Sequence, residues 1–481
     1  MTQRRSMPTE QPLTRPTLSI EYLEELPLQF GAGRQHISTR TGIALFGPRS
    51  LDMPQRHPLS TKVGIIGSGH SMEAAQKWME SCLSGVEGNA ENDAFPGYTE
   101  SAGFYANLVF DGDWNGTITQ NDVASIKQIH KLKDRFSAAV ELVSDKVRIL
   151  SQKDYPPSYL VLALPNELLA HCQTVDYTER GKGTVHRDFR KALKAELMKY
   201  RIPTQILLQR TSEAAPDART IDHKSRVAWN YFSGLYFKAG GIPWSPTGLA
   251  PDTCYVGISF YRALGSANPT MHTSVAQAFN EHGDGLVLRG PDFQWDPNRL
   301  GKSPHLTDDQ AQALLTFTLK RYRDEMNQAP RRVVIHKSSR FSPEERDGFT
   351  AALRSVRQFD MVAVRPNNRV RLLREGQYPP LRGTTFGVGD IHYLYTTGYI
   401  PALRAYPHGH VPSPLEVADY LGDTPLTQVL REILVLTRMN WNTTAHADLR
   451  PITLRFSQLV GDIMREVPPD REPLPQFKFY M

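Results

Sequence analysis

The feature that most constrains this chain is a rhythm of short apolar runs alternating with helical patterns. "KVGIIGSG" at 62–69 reads as a buried strand and turn, followed by a helix from about Ser71 to Leu83. "SYLVLALP" at 158–165 reads as a central strand. "RDFRKALKAELMKY" at 187–200 puts Phe189, Ala192, Leu193 and Leu197 on one helical face. "TQILLQ" from Thr204 is the next strand. Strand, helix and strand in this order predict α/β layers around a mostly parallel, Rossmann-like sheet.

A polar segment, "RTSEAAPDARTIDHKS" at 210–225, separates this half from the next. Beyond it, "RVAWNYFSGLYFK" predicts a helix closed by Gly240 and Gly241, with Pro243 as a stop. "CYVGISFYRAL" and "GLVLRG" predict two strands joined by a longer loop. Thr307 and Gln310 have the spacing of a capping box for a helix through about Met326. "RRVVIHKSS" predicts a buried strand, and "MVAVRPNNRVRLL" two strands about an Asn-Asn turn. Thr424 and Pro425 open a later helix. The second half is therefore α/β with a mixed sheet. The expected division is an arm over 1–25, a first domain over 26–224 and a second over 225–481.

No run approaches the roughly 18 apolar residues of a membrane span. The polar, proline-broken start lacks a secretory h-region. Cys82, Cys172 and Cys254 lie far apart and form no CxxC pair, so a reducing cytoplasm is expected. The net charge of +6 is unevenly distributed. Residues 181–201 carry seven Lys/Arg against two acids, and residues 331–375 carry eleven against five. Localised positive charge suits a polyanion such as nucleic acid, with solvated helix faces as the alternative.

Arg190 and Lys194, four apart, share a helix face. Gln205 follows a turn at the start of a strand, and Lys238 ends a helix. These four groups can surround a terminal phosphate with charge-assisted bonds. Taken singly, each is also explained as a solvated cation, an edge amide or a helix-end charge. "GIIGSGHSM" resembles a dinucleotide loop through Gly64, Gly67 and Gly69, but Met72 stands where the last glycine belongs. A tight βα turn is the better reading. His408 with His410, and His171 with Cys172, lack further metal ligands at useful spacing. Tyr393, Tyr395 and Tyr399 read as packing residues more than as base-stacking ones.

In order and spacing, "LKAELMKYRIPTQ", "YFKAGGIPW", "CYVGISF", "VVIHKSSRF", "RMNWN" and "ITLRFSQLVGDI" together resemble the MID and PIWI domains of Argonaute proteins. The length resembles the short prokaryotic members. The resemblance implies that Arg190, Lys194, Gln205 and Lys238 bind the 5′-phosphate of a guide RNA. Arg190 stands where the family usually has tyrosine or histidine, which removes a stacking ring. In bacterial relatives a divalent ion is held there by the glutamine and the C-terminal carboxylate. The resemblance therefore implies Mg2+ held by Gln205 and Met481, with the aromatic tail "PLPQFKFYM" plugged back into the protein.

PIWI domains resemble RNase H, whose two-metal chemistry needs carboxylates on adjacent strands. The matching places here are Ser259, Ser338 and Gln458. A neutral hydroxyl or amide cannot supply a carboxylate's charge, and Lys337 beside Ser338 repels a metal. The resemblance thus implies a catalytically silent PIWI domain, with the basic run from Arg331 to Arg374 clamping a heteroduplex and base pairing reading the sequence. It also implies a role in defence against plasmids and phages. The target would be single-stranded DNA. The partner would be an APAZ-containing effector with a sirtuin-like or TIR-like NAD-degrading domain, or a nuclease. A slicer with an unusual metal set and a Rossmann-type nucleotide enzyme are the competing readings.

Overall fold

The computed structural model describes residues 18–179, 183–213, 222–262, 264, 271–280, 285–296, 298, 301, 303–406, 411–468 and 470–481. Its first strand, β1 (Leu18–Tyr22), belongs to the second half. In the first half, β2 (Ser60–Gly67), β3 (Asn107–Phe110), β4 (Gly116–Thr117), β5 (Tyr159–Ala163) and β6 (Thr204–Ile206) form an all-parallel sheet. The order is β6-β5-β2-β3, with β4 also on β2. Side chains on β2 and β5 alternate between two buried faces, as a strand's period of two requires. Val63, Ile65 and Val161 meet Ala75, Met79 and Cys82 of α1 (Gly69–Leu83). Ile66, Leu160 and Leu162 meet α2 (Leu132–Ser151) and α3 (Phe189–Leu197).

The turn after β2 is tight for packing reasons. A Cβ on Gly67 would come within 2.2 Å of the Ala163 carbonyl oxygen, and one on Gly64 within 2.5 Å of that of Trp114. These glycines admit neighbouring backbone, which accounts for them without a nucleotide.

Helix α4 (Lys224–Lys238) starts at the expected domain boundary. Its aromatic side chains nevertheless pack into the first half: Phe232 stacks on Phe95 at 5.2 Å, and His57 Nδ1 lies 2.7 Å from the Tyr236 hydroxyl. One core runs through both halves.

The second half is built on a nine-stranded mixed sheet. After α4 come β7 (Thr253–Tyr261), β8 (Met271–Phe279), β9 (Gly285–Gln294), α5 (Asp308–Met326), β10 (Arg332–Lys337), α6 (Pro343–Ala352) and β11 (Gln358–Pro366). Then follow β12 (Thr384–Val388), β13 (Ile391–Leu394), β14 (Leu415–Gly422), α7 (Leu426–Leu436) and α8 (Ile452–Met464). The order is β1-β12-β13-β14-β11-β10-β7-β8-β9. β7, β10 and β11 are mutually parallel, and the other pairings are antiparallel. Helices α5 and α6 cover one face, and α8 with the C-terminal tail covers the other. The capping box of α5 is present, with Thr307 Oγ1 accepting from Gln310 N at 3.3 Å.

Two expectations need correction. The loop between "CYVGISFYRAL" and "GLVLRG" contains a full strand, β8, which pairs with both neighbours. Its sequence, "MHTSVAQAF", is too polar and small to announce itself, and the sheet on either side supplies its order. "MVAVRPNNRVRLL" holds one strand instead of two. Asn367 Oδ1 accepts from Arg369 N at 2.7 Å and Val370 N at 3.2 Å, which turns the chain out of β11. Within the arm, β1 forms the sheet edge against β12.

Candidate nucleic-acid interface

Three elements converge where the first half meets α4. Asp188 caps α3 by accepting from Lys191 N at 3.0 Å. The helix buries Phe189, Ala192, Leu193 and Leu197 as expected. This orients Lys194 inward, 6% exposed, while Arg190 one turn earlier stays in solvent. Lys238, 1% exposed, arrives from the C-terminal end of α4. Strand β6 presents the meeting point. Lys194 Nζ donates to the Thr204 carbonyl oxygen at 2.5 Å, and Lys238 Nζ donates to the same oxygen at 3.4 Å. Lys238 Nζ also donates to Gln205 Oε1. Lys194, Gln205 and Lys238 thus form one cluster, and Arg190 acts on both lysines through its charge.

No ion pair joins Arg190, Lys194 or Lys238 to any carboxylate among the described residues. Burial, with the nearby Arg190 charge, pushes the Lys194 ammonium down to about 7. Burial, then Lys194 and Arg190, pushes Lys238 well below the usual lysine range. A buried ammonium without a counter-ion is costly, and here two of them face each other. The nearby acids are committed elsewhere. Asp462 takes Lys191 at 2.7 Å, Glu466 takes Arg187 at 2.8 Å, and Glu196 takes Lys199 and Arg471. What the cluster lacks is negative charge.

This donor set fits an anion and does not by itself fit magnesium. A divalent ion needs several oxygen ligands, whereas the one side-chain oxygen here already accepts from an ammonium. Met481 is buried, and its tail packs as expected, with Phe477 against Phe237, Phe279 and Phe456. No ion pair links the Met481 carboxylate to the three cations among the described residues. Cys172 is a buried core residue, and His408 and His410 lie outside the described residues.

In the second half, Gly257 on β7 pairs with His336 on β10. Ser259 and Ser338 therefore each stand two residues beyond matched positions on neighbouring strands. Ser259 Oγ donates to the Ser457 carbonyl oxygen of α8 at 3.4 Å, and Ser338 is exposed. Gln458 lies on α8 next to that contact, its side chain outside the described residues. Among the described residues, no group of three or more His, Cys, Asp or Glu is arranged to hold a metal.

Behind this strand end sits a feature the sequence did not reveal. Lys337 Nζ donates to Glu345 Oε1 at 2.5 Å and Oε2 at 2.6 Å, and lies 3.1 Å from His305 Nδ1. Burial would raise the Glu345 carboxyl, but the His305 hydrogen bond and the Lys337 charge hold it below its usual value.

The run from Arg331 to Arg374 is not one basic surface. Arg332 is buried between Asp360 and Glu432, Lys337 pairs with Glu345, Arg346 with Asp419 and Arg365 with Glu416. Arg331, Arg340, Arg354, Arg357, Arg369, Arg371 and Arg374 remain exposed.

No protein-family model matches the chain. The Argonaute of Thermus thermophilus is 26% identical over 261 residues, 52% of this chain and 33% of that protein. Clostridium butyricum Argonaute, solved with a guide DNA and a 19-mer target DNA, superposes with a TM-score of 0.65 at 15% identity. That match covers 94% of this chain and 54% of the other. The A. aeolicus Argonaute superposes with a TM-score of 0.57 at 16% identity, over 95% of this chain and 54% of the other. The chain therefore spans about half the length of the solved Argonautes it matches. Among the described residues no helix is long and apolar enough to cross a membrane. With a parallel layer followed by a mixed sheet, similarity at the sequence level to one Argonaute and superposition on others, this chain is Argonaute-like and carries the fold of the MID and PIWI domains.

Proposed function

We propose that this chain is a guide-dependent recognition module. It grips the 5′-phosphate of a small RNA through Arg190, Lys194, Gln205 and Lys238, and presents the RNA to complementary single-stranded DNA. The observation that carries this is the cluster of two buried lysines without a carboxylate. A terminal phosphate supplies the missing charge and leaves the Gln205 amide nitrogen and Arg190 as further donors. In the second half, Ser259, Ser338 and Gln458 offer no charged ligands for two-metal hydrolysis, so the module senses pairing without cutting. The exposed arginines of residues 331–374 contribute backbone contacts, fewer than the charge count alone suggests. Any bond-breaking then belongs to an associated effector. The resemblance points to an APAZ-containing protein with an NAD-degrading domain, acting in the cytoplasm in defence against plasmids and phages. Magnesium at the phosphate would have to bring the phosphate oxygens as its ligands.

The test compares 5′-phosphorylated and 5′-hydroxyl RNA on wild type and on Lys194→Met and Lys238→Met. Phosphate preference in the wild type that both variants abolish supports the reading. Equal binding of the two RNAs by the wild type defeats it. A labelled DNA target incubated with guide-loaded protein and Mg2+ or Mn2+ stays intact; cleavage opposite the guide centre would establish a slicer instead.

A further inference from the structure

The loop between β11 and β12 and the turn after β13 bring two tyrosines together. Tyr378 stacks on Tyr399 with ring centroids 4.2 Å apart and planes inclined by 20°. The Arg374 guanidinium carbon lies over the Tyr399 ring, 5.8 Å from its centre. Tyr378 is 44% exposed and the neighbouring Leu373 is 96% exposed. The loop from Asn367 to Tyr378 carries Arg369, Arg371 and Arg374 against one acid, Glu375.

The stack is held in place by backbone. Tyr399 N donates to the Pro380 carbonyl oxygen at 3.1 Å, and Arg382 N donates to the Tyr399 carbonyl oxygen at 3.0 Å. Gly398 allows this approach, since a Cβ there would lie 2.4 Å from the Pro380 oxygen. Pro379 and Pro380 stiffen the chain directly after Tyr378. Neither tyrosine ring belongs to the buried cluster of Phe386, Tyr393 and Tyr395, so core packing does not account for the pair.

We propose that Arg374, Tyr378 and Tyr399 form a stacking platform for an unpaired base of single-stranded nucleic acid. A fixed aromatic face beside exposed arginines is the chemistry that holds single strands without reading sequence. A duplex does not offer such a face, because its bases are already stacked on each other. The open side of Tyr378 receives the base, Leu373 packs against the sugar, and Arg371 and Arg374 meet the flanking phosphates. The inference rests on the proposed nucleic-acid function, but it uses none of the residues of the phosphate cluster.

The experiment measures binding of a labelled single-stranded oligonucleotide, prepared with a 5′-phosphate and with a 5′-hydroxyl, to wild type, Tyr378→Ala, Tyr378→Phe and Arg374→Ala. Tyr378→Ala weakens both oligonucleotides about tenfold, while Tyr378→Phe keeps wild-type affinity. Arg374→Ala lowers the slope of log affinity against log salt by about one. Photo-crosslinks from a halogenated base map to residues 371–399. Unchanged affinity in Tyr378→Ala, or crosslinks confined to other segments, overturns the platform. If the wild type still prefers the 5′-phosphate, only the platform falls; a wild type that binds neither oligonucleotide removes both proposals.

Discussion

Lys238, where α4 meets the first half, and Lys337, on the large sheet, are both 1% exposed, and their surroundings differ in one respect. Lys337 has a carboxylate and an imidazole at hydrogen-bond distance, whereas Lys238 has a neutral amide, a carbonyl and a second ammonium. Burial depresses the ammonium in both places, but only at Lys337 does a partner oppose the shift. A fold keeps an uncompensated buried charge at a cost to its own stability. The lysine cluster between the first half and α4 is therefore built for something that arrives from outside, and the Lys337 pair is complete as it stands.

The contrast can be broken most forcefully at Glu345. Glu345→Ala strands Lys337 and removes one half of the capping box of α6, where the Glu345 carboxylate accepts from Ser342 N at 3.0 Å, so unfolding free energy should fall by about 3–5 kcal/mol in urea denaturation. A loss under 1 kcal/mol would mean Lys337 is not dependent on its partner. Lys238→Met should do the reverse. Removing an unpaired charge leaves stability equal or higher, while binding of a 5′-phosphorylated RNA loses about 1.5–3 kcal/mol, read by titration. A destabilised Lys238→Met would erase the difference between the two sites.

pH sharpens the comparison further. Lys194 titrates at about 7 in the folded chain against an ordinary 10.5, so the unfolded chain binds more protons between those values. Lys194 should then make the stability of the ligand-free protein rise with pH from about 7 to 10.5, by at most about 1.4 kcal/mol per pH unit, and the depressed Lys238 adds a slope of the same sign. Lys194→Met should lose its own share of that slope. Phosphate binding above pH 7 should take up protons, visible by calorimetry in buffers of different ionisation enthalpy. The smallest effect belongs to the outer face of the same helix. Lys191→Ala breaks a partly exposed pair with Asp462 and should cost under about 1 kcal/mol by thermal unfolding.

Local signals were the legible ones. The parallel layer announced itself through β2 and β5 because the Val63–Gly67 part of β2 and all of β5 are apolar and buried. The cap at Thr307 and Gln310, and the amphipathic α3, were equally readable. The meeting of Lys194, Gln205 and Lys238 was expected from the resemblance, since spacing alone left a solvated helix face open. Distant pairing was not legible. Arg332 finds Asp360 and Glu432, 28 and 100 residues away, and Arg346 finds Asp419 at a separation of 73, so counting charge in a window overstated the basic surface. β8 escaped for a similar reason: its order comes from β7 and β9 on either side. The Lys337–Glu345–His305 group needed a strand, a helix and the loop before α5 to be placed before it existed at all.

Helix α3 has a consequence for how the halves communicate. Lys194 on its inner face reaches the lysine cluster, and Lys191, one residue short of a full turn away, is tied to α8, whose Ser457 accepts from Ser259. Both contacts are carried by one short helix, from side chains three residues apart. A ligand that shifts this helix at the lysine cluster would shift its tie to α8 as well, and α8 packs on β7 inside the large sheet.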